Sequence, residues 1–271
     1  MSADIADAFD AWAREGAGAR MEEAHEFAGK KVLDRISIGY DESFIDLGCG
    51  NGWATRYVAQ KVPEIGLCVG VDLSAALIAE ARKLSAAKYP VKFLVSPMEE
   101  TPFGEAAFNH AFSMEAMYYT KDPLTAIKAA WRLLKAGGRF HLVIDYYKEN
   151  PASAAWQADV PVKMHFLAAD EWARLFKQAG FGGVGAERIL DDRPIPPDVA
   201  FPWGGFKTRA ALQDFRTGVG SLYLQGQKAE LSHALDAVLE RAKADVAKEN
   251  ERETARGSPK GESKKKRFGR S

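Results

Sequence analysis

An α/β fold built on a mostly parallel, doubly wound sheet of seven strands is what this sequence predicts, and three observations predict it. Short apolar runs alternate with helix-period stretches from Ser43 to Asp145, in the order expected of strand–helix–strand units. The runs are nearly continuous in apolar residues, as in strands covered on both faces. The first run ends in a glycine-rich turn, Asp46-Leu47-Gly48-Cys49-Gly50-Asn51-Gly52-Trp53, at a strand-to-helix junction.

Taken in order, residues 3–36 read as helical, with Ala8, Phe9 and Trp12 at spacings of three to four and a break at Glu15–Gly18. A second helix is expected from about Arg20 to Ile36. Strand one is 43–47, followed by a helix to about Val62. Strand two is 66–72, with a helix from Ser74 to about Tyr89, and strand three is 91–95. Strand four spans 108–113, its helix 123–134, and strand five 138–145. The segment 168–180 reads as an amphipathic helix carrying Trp172, Leu175 and Phe176 on one face. Residues 184–190 and 221–225 read as closing strands. Between them, the stretch from Pro194 to Gly205 is too rich in proline and glycine for regular structure. Residues 229–252 are rich in Ala, Glu and Lys and read as helical. The expected organisation is a helical lid over 1–40, a central domain over 41–230, and a C-terminal helix with a disordered basic tail over 231–271.

Composition narrows the class further. The 271 residues carry 37 Lys+Arg against 37 Asp+Glu and are 46% apolar, a composition suited to a folded core. No apolar run approaches the roughly 20 residues of a membrane span. Asp4, Asp7 and Asp10 stand where a secretory signal would place basic residues, so a cytoplasmic protein is expected. The two cysteines cannot build a disulfide framework or a four-cysteine zinc site, and with no metal-ligand spacing in the sequence no metal is expected. Cys49 reads as a small filler of its turn and Cys68 as core. The neutral total hides a +5 balance over residues 257–271 and −5 over the remainder. The negative body argues against a nucleic-acid substrate.

The glycine turn carries the chemistry. Glycines at 48, 50 and 52 allow a sharp bend and close approach of a ligand to the backbone, and the helix behind them aims its N-terminal amides at that ligand. A dinucleotide fingerprint has glycine at its first, third and sixth positions. Here the sixth position is Trp53, which disfavours a nicotinamide oxidoreductase. Asp72 closes strand two. Its carboxylate can accept hydrogen bonds from both hydroxyls of a ribose, or it can cap the following helix; paired with the glycine turn, it reads as a ligand residue.

These two segments, Phe44 to Gly52 and Val69 to Ser74, resemble the first two motifs of the class I S-adenosylmethionine (SAM)-dependent methyltransferases. Ser96 to Phe103 lies where that family's third motif falls, Phe108 to Glu115 resembles the fourth, and Trp131 to Phe140 and Glu171 to Phe181 match later ones. The resemblance covers roughly residues 40–230 and is similar to the small-molecule (methyltransferase type 11-like) branch. It implies a Rossmann-like methyltransferase fold, SAM as cofactor, and in-line methyl transfer to a small-molecule acceptor, apolar or lipid- or quinone-like. By this resemblance Asp46, Gly48, Gly50 and Gly52 surround the methionine portion, Asp72 holds the ribose, and Leu73 packs on the adenine. Met98 and Glu99 border the adenine edge, and Glu115 lies at the amino-acid end. The family often has Asp where this chain has Pro97, and proline offers neither N–H nor side-chain acceptor.

Ligands of doubly wound sheets lie beyond the carboxyl ends of the strands, so Tyr118 and Tyr146 are candidates to meet substrate. His165 is a candidate general base, its ordinary pKa of roughly 6.5 being suitable. Glu22 and His25 share a helix face at i,i+3 and could touch substrate. Two alternatives stay open: a module that binds SAM without turnover, and an RNA or protein methyltransferase, the latter weakened by Ser113-Met114-Glu115-Ala116 after strand four.

Overall fold

The computed structural model describes residues 2–85, 90–230, 235, 238, 241–243 and 245–246. The chain divides into two compact units, Met1–Ala229 and Glu230–Ser271. In the second unit residues 235, 238, 241–243 and 245–246 are helical, and the basic tail expected over 257–271 lies outside the described residues.

The first unit begins with α1 (Ser2–Arg14) and α2 (Ala17–Leu33). The break between them falls where Gly16 takes φ 74°, a conformation glycine adopts without penalty. Then follow β1 (Ser43–Leu47), α3 (Trp53–Lys61), β2 (Leu67–Asp72), α4 (Ala75–Ser85) and β3 (Val91–Val95). After a helical turn at Met98–Glu100 come β4 (Phe108–Met114), a second turn at Met117–Tyr119, α5 (Pro123–Leu133) and β5 (Leu134–Ile144). The chain closes with α6 (Ala169–Ala179), β6 (Gly182–Ile189), α7 (Arg209–Asp214) and β7 (Ser221–Gln227).

The seven strands form a sheet in the order β3-β2-β1-β4-β5-β7-β6. β1 to β5 are mutually parallel, and β7 runs antiparallel between β5 and β6. Alternation along the central strands divides the core. Phe44, Cys68, Phe112 and Val143 face α2 and α3 and pack with Val32, Leu33 and Val58. Ile45, Val69, Ala111 and Leu142 face the opposite layer, with Ile127, Ala130, Trp172 and Phe176. Both faces are therefore dry, which is why these strands read as unbroken apolar runs.

Some boundaries differ from the sequence expectation. β5 starts at Leu134 because Leu134 pairs with Phe108 through an irregular register, so Lys135 to Gly137, left between the expected helix and strand, belong to the strand. A tight helical run at Pro151–Asp159 and the α7 segment were not legible, since neither shows a sustained helix period. α5 is capped by Asp122, which accepts from the amides of Leu124 and Thr125, with Pro123 at the first turn. The sheet's order reverses at β1 and β4, and the crevice beyond their carboxyl ends is where such sheets take ligands.

A candidate ligand cavity at the switch point

A cavity of about 650 Å³ opens at that crevice, within the range of small-molecule sites. Its floor is the turn after β1. The amides of Gly48 and Cys49 both donate to Val71 O, at 2.8 and 2.9 Å, which ties the turn to β2. Gly48 (φ 78°) needs its missing side chain, since a Cβ there would lie 2.3 Å from that of Ala116. The gap between the β1 and β4 ends is closed to all but glycine.

Asp72 faces this floor. Its Oδ2 accepts from Gly50 N at 2.8 Å and its Oδ1 from Ser74 N at 2.9 Å. It therefore ties the turn to the approach to α4, while each oxygen keeps a lone pair. Burial raises its pKa against the pull of those amides. Leu73, Leu77, Ser96, Pro97, Met98 and half-buried Glu99 form the adjoining wall; burial also raises the Glu99 carboxyl.

The opposite wall comes from the N-terminal helices, which supply Ile5, Phe9, Gly18, Met21, Glu22 and His25. They are anchored by packing and by hydrogen bonds. Phe9 meets Tyr119 edge-on at 4.9 Å. Asp10 accepts from Ser74 Oγ at 2.5 Å and Ala76 N at 3.0 Å, capping α4 from another element. Asn51 Nδ2 donates to Glu22 at 2.7 Å. Burial and the Arg193 charge lower the His25 pKa to about 4, so its imidazole is neutral at pH 7.

The third side carries Glu115 (φ 53°) and His165. Glu115 Oε2 accepts from Tyr118 Oη at 2.7 Å, and its Oε1 accepts from Asp145 N. Burial, then the neighbouring Asp145 charge, raises the Glu115 carboxyl well above its ordinary range. His165 Nε2 lies 3.0 Å from Thr120 O. A carbonyl only accepts, so that nitrogen carries the proton and Nδ1 holds the lone pair.

Of the residues singled out from sequence, Gly48, Gly50, Asp72, Leu73, Met98, Glu99, Glu115 and His165 line the cavity. Four do not. Asp46 is 2% exposed beneath the turn, accepting from Thr55 Oγ1 at 2.9 Å, and burial lifts its pKa to about 7. Gly52 points inward, where a Cβ would lie 2.5 Å from Phe93. Tyr118 and Tyr146 are both buried, Tyr118 bonded to Glu115 and Tyr146 packed among Tyr118, Phe166 and Trp156. Cys49 lines the cavity while filling its turn, and burial with the charges of Asp46 and Asp72 raises its thiol, against a nucleophilic role. Sequence reasoning missed Ile5, Met21, Leu77 and the 161–163 segment, whose apolar or loop character gave no signal of a ligand.

Comparison with known proteins gives a consistent picture. A family model described as a methyltransferase domain matches residues 45–142. The chain is 27% identical over 174 residues to the O-methyltransferase cnsE of Penicillium expansum, covering 60% of each chain. It is 30% identical over 150 residues to the chloroplastic tocopherol O-methyltransferase of Arabidopsis thaliana, covering 54% of this chain and 41% of that one. The match thus spans about three fifths and two fifths of these curated relatives. A solved complex between the Haloferax volcanii Trm112 methyltransferase activator and a proposed methyltransferase contains a chain 32% identical to this one. The TM-score is 0.75, with 82% of this chain and 98% of that chain covered.

Proposed function

We propose that this chain, which belongs to the class I SAM-dependent methyltransferases, binds SAM in the cavity at the β1–β4 switch point and methylates a small-molecule acceptor there. The observation that carries this reading is the convergence of the glycine turn and Asp72 on one cavity whose remaining wall is largely apolar.

The residues fit the cofactor. Gly48 and Gly50 leave room at the turn, the lone pairs of Asp72 suit the ribose hydroxyls, and Leu73 and Met98 offer an apolar seat for adenine. Glu99 is the side-chain acceptor near that seat, which suits an adenine amino group where Pro97 has none to offer. Asp46 acts from below, by holding α3 to β1 through Thr55, rather than by touching ligand. When bound, SAM supplies a methyl group already activated on a sulfonium, so the protein's task is alignment and exclusion of water.

The chain's residues are suited to that task. Phe9, Met21, Tyr119 and Val162 present apolar surface that excludes water from the acceptor side. His165 Nδ1 is the nitrogen suited to take an acceptor proton.

Relatives of this chain are named as methylating small molecules, tocopherol among them, and the apolar wall suits an acceptor of that general character. Calorimetry with SAM, followed by labelled methyl transfer into small-molecule extracts, tests the proposal. Release of S-adenosylhomocysteine with an acceptor supports catalysis; SAM binding without turnover on any extract leaves a sensor, and no SAM binding removes the reading altogether. A protein activator of the kind solved with the Haloferax relative is a reasonable partner, tested by whether co-expression raises yield and activity together.

A further inference from the structure

At the edge of the cavity three donors from distant segments lie close together. His25 from α2, Glu115 just beyond β4 and Asp145 just beyond β5 each offer one nitrogen or oxygen, and these atoms all lie within 4.8 Å of one another. The three residues are distant in sequence; the switch point, with α2 laid over it, brings them together.

The donors have capacity to spare. Asp145 is only 6% exposed, and its Oδ1 has no hydrogen-bond partner. The two Glu115 oxygens accept one donor each, from Asp145 N and Tyr118 Oη, and each keeps a lone pair. Among the described residues no lysine or arginine forms an ion pair with either carboxylate. The Arg193 guanidinium, whose charge Asp145 feels, is bound to Asp191 at 2.8–3.1 Å. Two enclosed carboxylates at this range repel unless a proton or a cation lies between them.

We infer that His25, Glu115 and Asp145 form a binding site for a divalent cation of the manganese, iron(II) or zinc type. One imidazole with two carboxylates suits those ions better than calcium, which favours an all-oxygen cage, or copper(I), which favours sulfur. Three protein donors leave coordination positions open. His25 and Glu115 both line the cavity, so those positions border it. The ion site does not depend on the methyl-transfer reading.

The test uses the full chain, stripped with chelator and titrated with Mn²⁺ alone, with free ion followed by electron paramagnetic resonance. A single saturable ion per chain is expected. Asp145→Asn and His25→Gln should each weaken it by more than about tenfold, while His165→Gln, whose ring lies on the same cavity but bonds Thr120 O, should keep it. Pulsed resonance on the wild-type protein needs no variant: nitrogen coupling from one imidazole is expected. Absence of saturable binding, binding that all three variants retain, or bound Mn²⁺ without nitrogen coupling would each overturn the site and leave the cluster as a proton-sharing trio.

Discussion

At the residue scale, Asp72 holds two roles that experiment can separate. It ties Gly50 and Ser74 through their amides, and its remaining lone pairs face the cavity. Asp72→Ala is expected to weaken SAM binding by about 1.5–3 kcal/mol, the size of lost charge-assisted hydrogen bonds. It should also lower the melting temperature without ligand. Calorimetry and thermal unfolding read the two effects independently; an unchanged affinity beside a lowered melting temperature would leave Asp72 as a tie alone. Asp46 makes a different prediction. Burial, opposed by the Thr55 hydrogen bond and aided by the Asp72 charge, raises its pKa from 3.8 to about 7. The folded state therefore holds a proton that the unfolded chain has released. The resulting stability is complete below about pH 4 and is lost as pH rises to about 7. Asp46→Asn should remove that slope, so urea unfolding at pH 5 and pH 8 should differ less in the variant than in the wild type.

At the scale of elements, α1 and α4 are coupled through a cap supplied from outside the capped helix. Asp10 accepts from Ser74 Oγ and Ala76 N, and these bonds lower its pKa. The attachment is therefore present above the ordinary carboxylate range and is lost as pH falls through the depressed value. Asp10→Ala is expected to cost about 0.5–2 kcal/mol, the usual size of a lost cap. It should also speed limited proteolysis within residues 2–16 more than elsewhere. Uniform proteolysis in that variant would show that packing such as Phe9 on Tyr119 holds α1 alone. Residues 1–40 belong to the same compact unit as the sheet.

For the whole molecule, a ligand bound only by the folded state stabilises it by mass action. S-adenosylhomocysteine at about a hundredfold its Kd should add about 2.7 kcal/mol, and at about 2–4 °C per kcal/mol for a chain of this size should raise the melting temperature by roughly 5–10 °C. A shift absent at saturating concentration would count against nucleoside binding in the cavity. Among the described residues no helix is long and apolar enough to cross a membrane.

What the sequence by itself determined was everything written in local period and local stereochemistry. The parallel strands were legible as apolar runs because both of their faces are covered. The turn at 48–52 was legible because its positive φ angles admit glycine and little else. Asp72 was legible because the strand interval puts an acid beside that turn. Tertiary structure alone decided which side chains share the cavity. Tyr118 and Tyr146 stand at strand ends, as expected, yet turn into the core, because Glu115 and Trp156 offer them a bond and a packing surface there. His25, Glu115 and Asp145 meet because α2 lies over the β1–β4 reversal with one particular rotation about its axis. That rotation is set by the packing of Val32 and Leu33 with Phe44 and Phe112, a balance of contacts between distant segments that no local pattern records.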